Sequence, residues 1–241
     1  MRTPCLGLHS LLLLAGSLPV LTLVMLTPGV AQEKSVRPGI NKTFEDPNVG
    51  EFVERFEKEG RDVYDRRQEV LAALALKPGM VVADIGAGTG LYSRLFATQV
   101  GDQGRVYAVD ISEKFVVHVR EWARQQGRAN VTAVRCQADS VELPPESIDL
   151  AFICDTYHHF EFPTKTMRSL HRALKPGGQV VLIDFRRIEG QSSEWVLGHV
   201  RAGQEVFTRE IVESGFRPID EKQDLLKESY FVRFAKVESG K

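Results

Sequence analysis

The sequence predicts a doubly wound, Rossmann-like α/β fold with a seven-stranded, mostly parallel sheet and an antiparallel C-terminal hairpin. Three observations carry that expectation. Short apolar runs of strand length alternate with helix-length stretches between residues 80 and 183, the pattern of a parallel sheet covered on both faces. A glycine-rich turn, Gly86-Ala87-Gly88-Thr89-Gly90, joins the first apolar run to the next helical stretch. An acidic residue, Asp110, closes the second apolar run, and doubly wound sheets place their ligand crevice at strand C-termini.

The elements follow in order. Arg2 precedes an apolar stretch over residues 11–26 that ends in Thr27-Pro28-Gly29-Val30-Ala31. A basic start, an apolar centre and small residues at Gly29 and Ala31 read as a secretory signal with cleavage after Ala31. The alternative is an uncleaved membrane anchor through residues 11–30, near the lower length limit for a span. Residues 32–50 carry Pro38, Gly39, Pro47 and Gly50 among polar residues and read as a linker or arm. Residues 51–76 read as helix: Phe52, Val53 and Phe56 share a face, Gly60 interrupts, and Val63, Val70, Leu71 and Leu74 resume the spacing. Lys77-Pro78-Gly79 ends it.

Strands are expected at 80–85, 106–109, 131–134, 148–153 and 180–183, with helices at 91–100, 113–126, 164–174 and 204–214. Leu143-Pro144-Pro145 marks a loop, and residues 216–226 and 230–237 form the hairpin. The layout is therefore a signal peptide or anchor (1–31), an arm (32–50) and a main domain (51–241).

Composition narrows the function. Hydrophobic residues make up 43% of the 241, enough for a core, while 31 Lys and Arg balance 32 Asp and Glu. No basic excess supports binding to nucleic acid through bulk phosphate attraction. Cys136 and Cys154 read as small apolar residues at strand ends, on opposite sides of the central strand and beyond disulfide reach.

A glycine loop alone fits many nucleotide folds. The spacing Gly86-x-Gly88-x-Gly90 differs, however, from the G-x-G-x-x-G of dinucleotide sites. This leaves an NAD-linked oxidoreductase as a weak rival. Asp84 beside the loop would repel a pyrophosphate but tolerate a sulfonium with an ammonium group. Asp110 stands where a carboxylate can accept both ribose hydroxyls.

From 80 to 237 the chain resembles the class I S-adenosylmethionine-dependent methyltransferases. The motifs are Val82-Ala83-Asp84-Ile85-Gly86-Ala87-Gly88-Thr89-Gly90, Val106-Tyr107-Ala108-Val109-Asp110, Ile148-Asp149-Leu150-Ala151-Phe152 and Leu174-Lys175-Pro176-Gly177-Gly178, the last a turn before the fifth strand. The resemblance implies S-adenosylmethionine as cofactor and a set of residues around it. The loop backbone at Gly86 and Gly88 would lie against its methionine portion, with Asp84, Ala87 and Gly90 also counted among the cofactor-binding residues. Asp110 would hold the ribose and Ile111 the adenine, with Asp139 at the adenine amino group. Asp155 would border the methyl-transfer pocket.

Tyr157, His158 and His159 follow the fourth strand and are the candidates for handling the acceptor, since imidazole removes a proton near neutral pH. Asp155-Thr156-Tyr157-His158 stands where nucleic-acid amino methyltransferases carry an Asn/Asp-Pro-Pro-aromatic tetrad, which argues against that subclass. Adjacent histidines without a His-x-x-x-His spacing give no expectation of a metal site. Two cysteines after the leader are too few for arsenic methylation. Arg66, in the segment where related enzymes place a helical lid, and His199, in Glu194-Trp195-Val196-Leu197-Gly198-His199, are further candidates to bind substrate or the cofactor carboxylate.

The expected function is methyl transfer to a small-molecule or cell-envelope acceptor, in a protein that is exported or anchored. The alternative is an exported S-adenosylmethionine-binding module without catalysis.

Overall fold

The computed structural model describes Met1 and residues 34–238, so the signal or anchor expected over residues 1–31 lies almost wholly outside the described residues. Among the described residues no helix is long and apolar enough to cross a membrane.

Three short helices, α1 (Val49–Phe56), α2 (Asp62–Asp65) and α3 (Arg67–Leu74), precede the sheet. The expected single helical stretch breaks twice. Gly60 takes φ +88°, and Arg66 leaves helical geometry between α2 and α3. The strands are β1 (Val81–Ile85), β2 (Arg105–Asp110), β3 (Val131–Arg135), β4 (Ile148–Cys154), β5 (Leu174–Phe185), β6 (Phe216–Lys222) and β7 (Ser229–Lys236). Between them lie α4 (Leu91–Val100), α5 (Glu113–Gln125), α6 (Pro163–Ala173), α7 (Glu194–His199) and α8 (Gln204–Glu213).

The sheet order is β3-β2-β1-β4-β5-β7-β6. The first five strands run parallel, and β7 pairs antiparallel with both β5 and β6. This is the Rossmann-like architecture that the alternation predicts. The chain winds outward from β1 to β3 and then crosses back to β4, so the crevice opens between the C-terminal ends of β1 and β4.

Each central strand is apolar on both faces, and the two-residue pleat sorts its side chains. Ala83, Ile85, Ala151, Ile153, Val180 and Leu182 pack under Met167 and Leu170 of α6 and Phe207 and Ile211 of α8. Val82, Leu150, Phe152, Val181 and Ile183 pack under Val70 and Leu74 of α3 and Phe96 and Val100 of α4. Asp84 shares the face of Val82, which turns its carboxylate toward α4.

Two departures from the expected elements have identifiable causes, one local and one tertiary. The Lys175-Pro176-Gly177-Gly178 turn is absorbed into the start of β5, where the register with β4 slips between Ile148 and Leu150 and Gly177 takes φ +74°. The arm over residues 34–48 has a 3-10 turn at Lys42–Phe44 and lies across the sheet's C-terminal end. There the Val36 N–H donates to the Glu161 carbonyl and the Asn41 amide to the His159 carbonyl. The Phe44 ring stands 5.5 Å from Phe52 and 5.0 Å from His159. These partners are distant in sequence, so no local periodicity announces them.

Candidate functional site

The loop after β1 is built to leave its backbone bare. Gly86, Gly88 and Gly90 all have positive φ, at +71°, +53° and +81°. At Gly86 the requirement is also steric, since a Cβ there would stand 2.2 Å from Thr156 Cγ2. The Gly86 and Ala87 N–H groups both donate to the Val109 carbonyl of β2, which pins the loop beside Asp110. Asp110 in turn accepts the Gly88 N–H on Oδ2 and the Ser112 N–H on Oδ1, each at 2.8 Å. Each carboxylate oxygen keeps a further acceptor site, and the group lines the cavity beside Ile111, Phe115 and Val141. The wall opposite is Gln137, Ala138 and Ser140. Asp139 does not join it; its carboxylate is half-exposed and pairs with Lys165 at 3.3 Å.

On the other side of the loop the cleft widens, sharing Gly86, Gly88, Asp155, Thr156 and His159 with the first part. Asp84 and Ala87 line this wider part, and Asp84 accepts the Ser93 hydroxyl of α4 at 2.6 Å. Gly90 lines neither part and serves as the turn into α4. Asp155 sits just past β4 with a left-handed φ of +48°, a backbone strain that only a well-determined site retains. Its Oδ2 takes the Arg61 guanidinium at 2.6 Å, while its buried Oδ1 has no partner among the described residues.

Three buried carboxylates therefore surround one cleft. Burial is the largest cause of shift in each. Asp84 is pushed up to about 7 and Asp110 to about 6, with hydrogen bonds from Ser93, Ser112 and Gly88 pulling back. Asp155 is raised too, against the Arg61 guanidinium. The sign of the consequence is fixed. Between the usual 3.8 and about 7 the native state binds more protons than the unfolded chain, so these groups make stability fall as pH rises through that window. Binding of a ribose or a cation to ionised carboxylates runs the opposite way. Without cofactor, the protein should gain stability from these groups on going from about pH 7.5 to about pH 5, while the melting-temperature rise produced by S-adenosylmethionine shrinks. Asp84→Asn should flatten the first trend; an unchanged slope in thermal scans of that variant would contradict the assignment.

Sequence reading missed the residues that tie the N-terminal helices to this site. Glu57 accepts the Thr89 hydroxyl of the glycine loop at 2.7 Å and also takes the Arg94 guanidinium. Arg61 covers the Phe56 ring at 4.9 Å and reaches Asp155. The sequence expectation names Arg66 for such a role, but Arg66 is exposed and, among the described residues, its side chain pairs only with Glu69, one turn on. The offset arises because the break at Gly60 turns Arg61, and not the residues of α2, toward the sheet. Arg61→Ala strips a charged partner from buried Asp155 and should cost about 1.5–3 kcal/mol in denaturant unfolding. Arg66→Ala should cost less than about 0.5 kcal/mol, as exposed pairs do. Equal effects would contradict this placement.

The residues after Asp155 divide. Tyr157 does not reach the cleft lining; it is fully buried, its ring 5.0 Å from Phe160 and 4.9 Å from Phe207. The 3-10 turn Tyr157–His159 sends it into the core and leaves His158 and His159 on the cleft side. His158 is buried, and its Nδ1 donates to Asp184 Oδ1 at 2.8 Å. His159 Nε2 lies 3.2 Å from Nε2 of His199, the last residue of α7. Burial, followed by neighbouring positive charges, lowers His159 to about 2 and His199 to about 4, so both are neutral at ordinary pH. Trp195 stacks on His199 at 4.5 Å and meets Phe185 edge-on at 5.4 Å, which gives this wall an aromatic surface. Asp184, like Asp110 and Asp155, stands at the C-terminal end of a parallel strand, and that shared position is the signal that could have found it.

Comparison with known proteins agrees with the geometry. Residues 83–182 match a family described as a methyltransferase domain. The ubiquinone/menaquinone biosynthesis C-methyltransferase UbiE of Hydrogenovibrio crunogenus is 30% identical over 123 residues, 51% of this chain and 48% of that protein. Its counterpart from Bordetella parapertussis is 32% identical over 114 residues, 47% of this chain and 44% of that protein. The chain thus spans about half the length of these curated relatives. A SAM-dependent methyltransferase of Aquifex aeolicus superposes with a TM-score of 0.70 at 25% identity, over 80% of this chain and all of that one. A Bordetella parapertussis structure described as a possible exported protein shares the fold alone, with a TM-score of 0.63, 17% identity and 81% of each chain covered. The ordered motifs, the sheet order and these likenesses together identify residues 83–182 as a methyltransferase domain of the class I S-adenosylmethionine-dependent kind, a family and fold that imply S-adenosylmethionine as cofactor.

Proposed function

We propose that this protein transfers a methyl group from S-adenosylmethionine to a small-molecule acceptor that enters past Trp195 and His199. The observation that carries the reading is the pair of carboxylates on either side of the bare glycine loop. Asp110 would hold the ribose hydroxyls through its remaining acceptor sites, and the buried Oδ1 of Asp155, unpartnered among the described residues, would take the cofactor's ammonium. The residues present therefore fit the cofactor. Bound there, S-adenosylmethionine supplies a methyl carbon already activated by its sulfonium.

What remains for the chain is alignment and exclusion of water. Gly86 and Gly88 let the ligand lie against the backbone, Ile111, Phe115 and Val141 flank the adenine, and Asp84 and Asp155 favour a positive centre. Phe44 and Phe56 line both parts of the cleft and shield it from bulk water. On the acceptor side His158, His159 and His199 form the polar wall, and Phe185 and Trp195 the aromatic one. An aromatic surface beside polar groups suits a flat acceptor. The C-methyltransferases of quinone biosynthesis among its relatives support a small-molecule acceptor of that general kind.

Export through residues 1–31 is part of the proposal, supported by the basic, apolar and small-residue pattern there. An export-dependent reporter fused after Lys34 and at the C-terminus tests it; an inactive C-terminal fusion would place the domain inside. Transfer of label from the methyl-labelled cofactor into lysate or envelope fractions tests catalysis. Labelled product that disappears in Asp110→Asn is expected. Tight cofactor binding with no transfer into any fraction would instead assign a binding module.

A further inference from the structure

Three imidazoles converge on the acceptor side of the cleft, and the mechanism above does not require all three. One ring nitrogen from each of His158, His159 and His199 lies within 4.8 Å of the others. The Nε2 atoms of His159 and His199 are 3.2 Å apart. Two nitrogens bound to one tetrahedral zinc at about 2.0–2.1 Å stand roughly 3.3 Å from each other, so this pair is already at ligand spacing.

The third ring is held from behind. Asp184 is fully buried, and its Oδ1 accepts His158 Nδ1–H at 2.8 Å while its Oδ2 accepts the His158 backbone N–H at 3.1 Å. That leaves Nε2 of His158 as the nitrogen free to ligate. A carboxylate on the far nitrogen is the usual support of a metal-binding histidine, because it fixes the tautomer and the ring plane. His199 is fixed in turn by the stacked Trp195 ring, and Arg37 holds the Gly198 and His199 carbonyls at the end of α7.

We propose that His158, His159 and His199 form a binding site for a late first-row divalent cation such as zinc, with Asp184 orienting His158 and a fourth position open to the cleft. Three imidazoles without thiolate or a directly ligating carboxylate favour zinc, copper, nickel or cobalt over magnesium or calcium. A hydrogen bond between two imidazoles would account for the 3.2 Å spacing. It gives no reason for a third ring braced by its own buried carboxylate. The sequence argument against a metal rested on adjacent histidines. The 3-10 turn removes that objection by bringing the two rings to 4.3 Å, and the third ligand comes from 40 residues further on, where no short motif reveals it.

The site rests on these side chains alone and stands whether or not methyl transfer is shown. The test is titration of the chelator-treated full chain with cobalt(II), followed by absorption, and with zinc, followed by calorimetry. One equivalent per chain with the intense visible bands of four-coordinate cobalt is expected. Affinity should fall at least about 100-fold in His199→Gln and about 10–100-fold in Asp184→Asn, and should be unchanged in His118→Gln, whose ring lies outside the cluster. Circular dichroism reports whether each variant folds, and the wild-type titration stands even if one does not. No saturable equivalent in the wild type, or equal affinity in wild type and a folded His199→Gln, would overturn the proposal and leave the cluster as packing.

Discussion

Asp110→Asn is expected to weaken S-adenosylmethionine binding by about 100-fold and to leave the protein folded. The carboxylate holds the Gly88 and Ser112 N–H groups and, in the proposed reading, also accepts ribose hydroxyls. Hydrogen bonds to a charged acceptor contribute about 1.5–3 kcal/mol each, and the loss of one or two ribose bonds amounts to roughly 3 kcal/mol, or about two decades in affinity. The amide also turns a donor toward either the Gly88 or the Ser112 N–H, which loosens the loop. Stability should change little, because burial already disfavours the charge at Asp110 and its removal offsets part of the lost bonding. Calorimetry and a melting curve on the same sample separate the two effects. A melting temperature near wild type with affinity reduced less than about threefold would remove Asp110 from the cofactor site.

The second large effect is expected at Gly86. Alanine there must adopt φ +71° and place a methyl 2.2 Å from Thr156 Cγ2 and 2.5 Å from its Oγ1. The backbone term costs about 1 kcal/mol, and the overlap adds about 1–3 kcal/mol unless the loop or the β4 end moves. Either movement displaces the backbone on which the cofactor lies, so binding should fall by on the order of 100-fold. Gly60→Ala is the matched control. It has φ +88° but nothing within 4 Å of a Cβ, so it should show only the backbone cost. Thr156→Ala in the Gly86→Ala background removes the two nearest atoms and should restore part of the stability. No rescue would show that the clash is not the cause.

What the sequence revealed and what it hid follow from the range of the interactions concerned. From β1 to α6 the elements were legible to within a residue or two, as at Gly101 before β2 or Pro163 at the start of α6, whereas β5 begins well before its expected start at Val180 and β6 ends at Lys222, short of the expected 226. The parallel order and the hairpin follow from the same pattern. The residues lining the glycine-loop side of the cleft were the more legible, because they sit in one strand–loop–helix unit and at the next strand's end, though Gly90 and Asp139 line neither part of it. The acceptor side was legible only in part. Tyr157, His158 and His159 are consecutive, and only the turn they form sends the first into the core and the other two toward the cleft. Arg61, Glu57 and Phe44 join the site through contacts made by tertiary packing of the N-terminal segment, and exposed Arg66 looks equally apt in the sequence. His199 was legible from its company with Trp195, while its partner Asp184 was hidden in an apolar strand.

Whether the carboxylate-flanked glycine loop binds S-adenosylmethionine is decided by isothermal titration of the purified chain with S-adenosylmethionine and, separately, with NAD. One saturable site for S-adenosylmethionine, weakened about 100-fold in Asp110→Asn and in Gly86→Ala, is expected, with no binding of NAD. Saturable NAD binding, or S-adenosylmethionine binding left at wild-type affinity by both substitutions, would contradict that assignment.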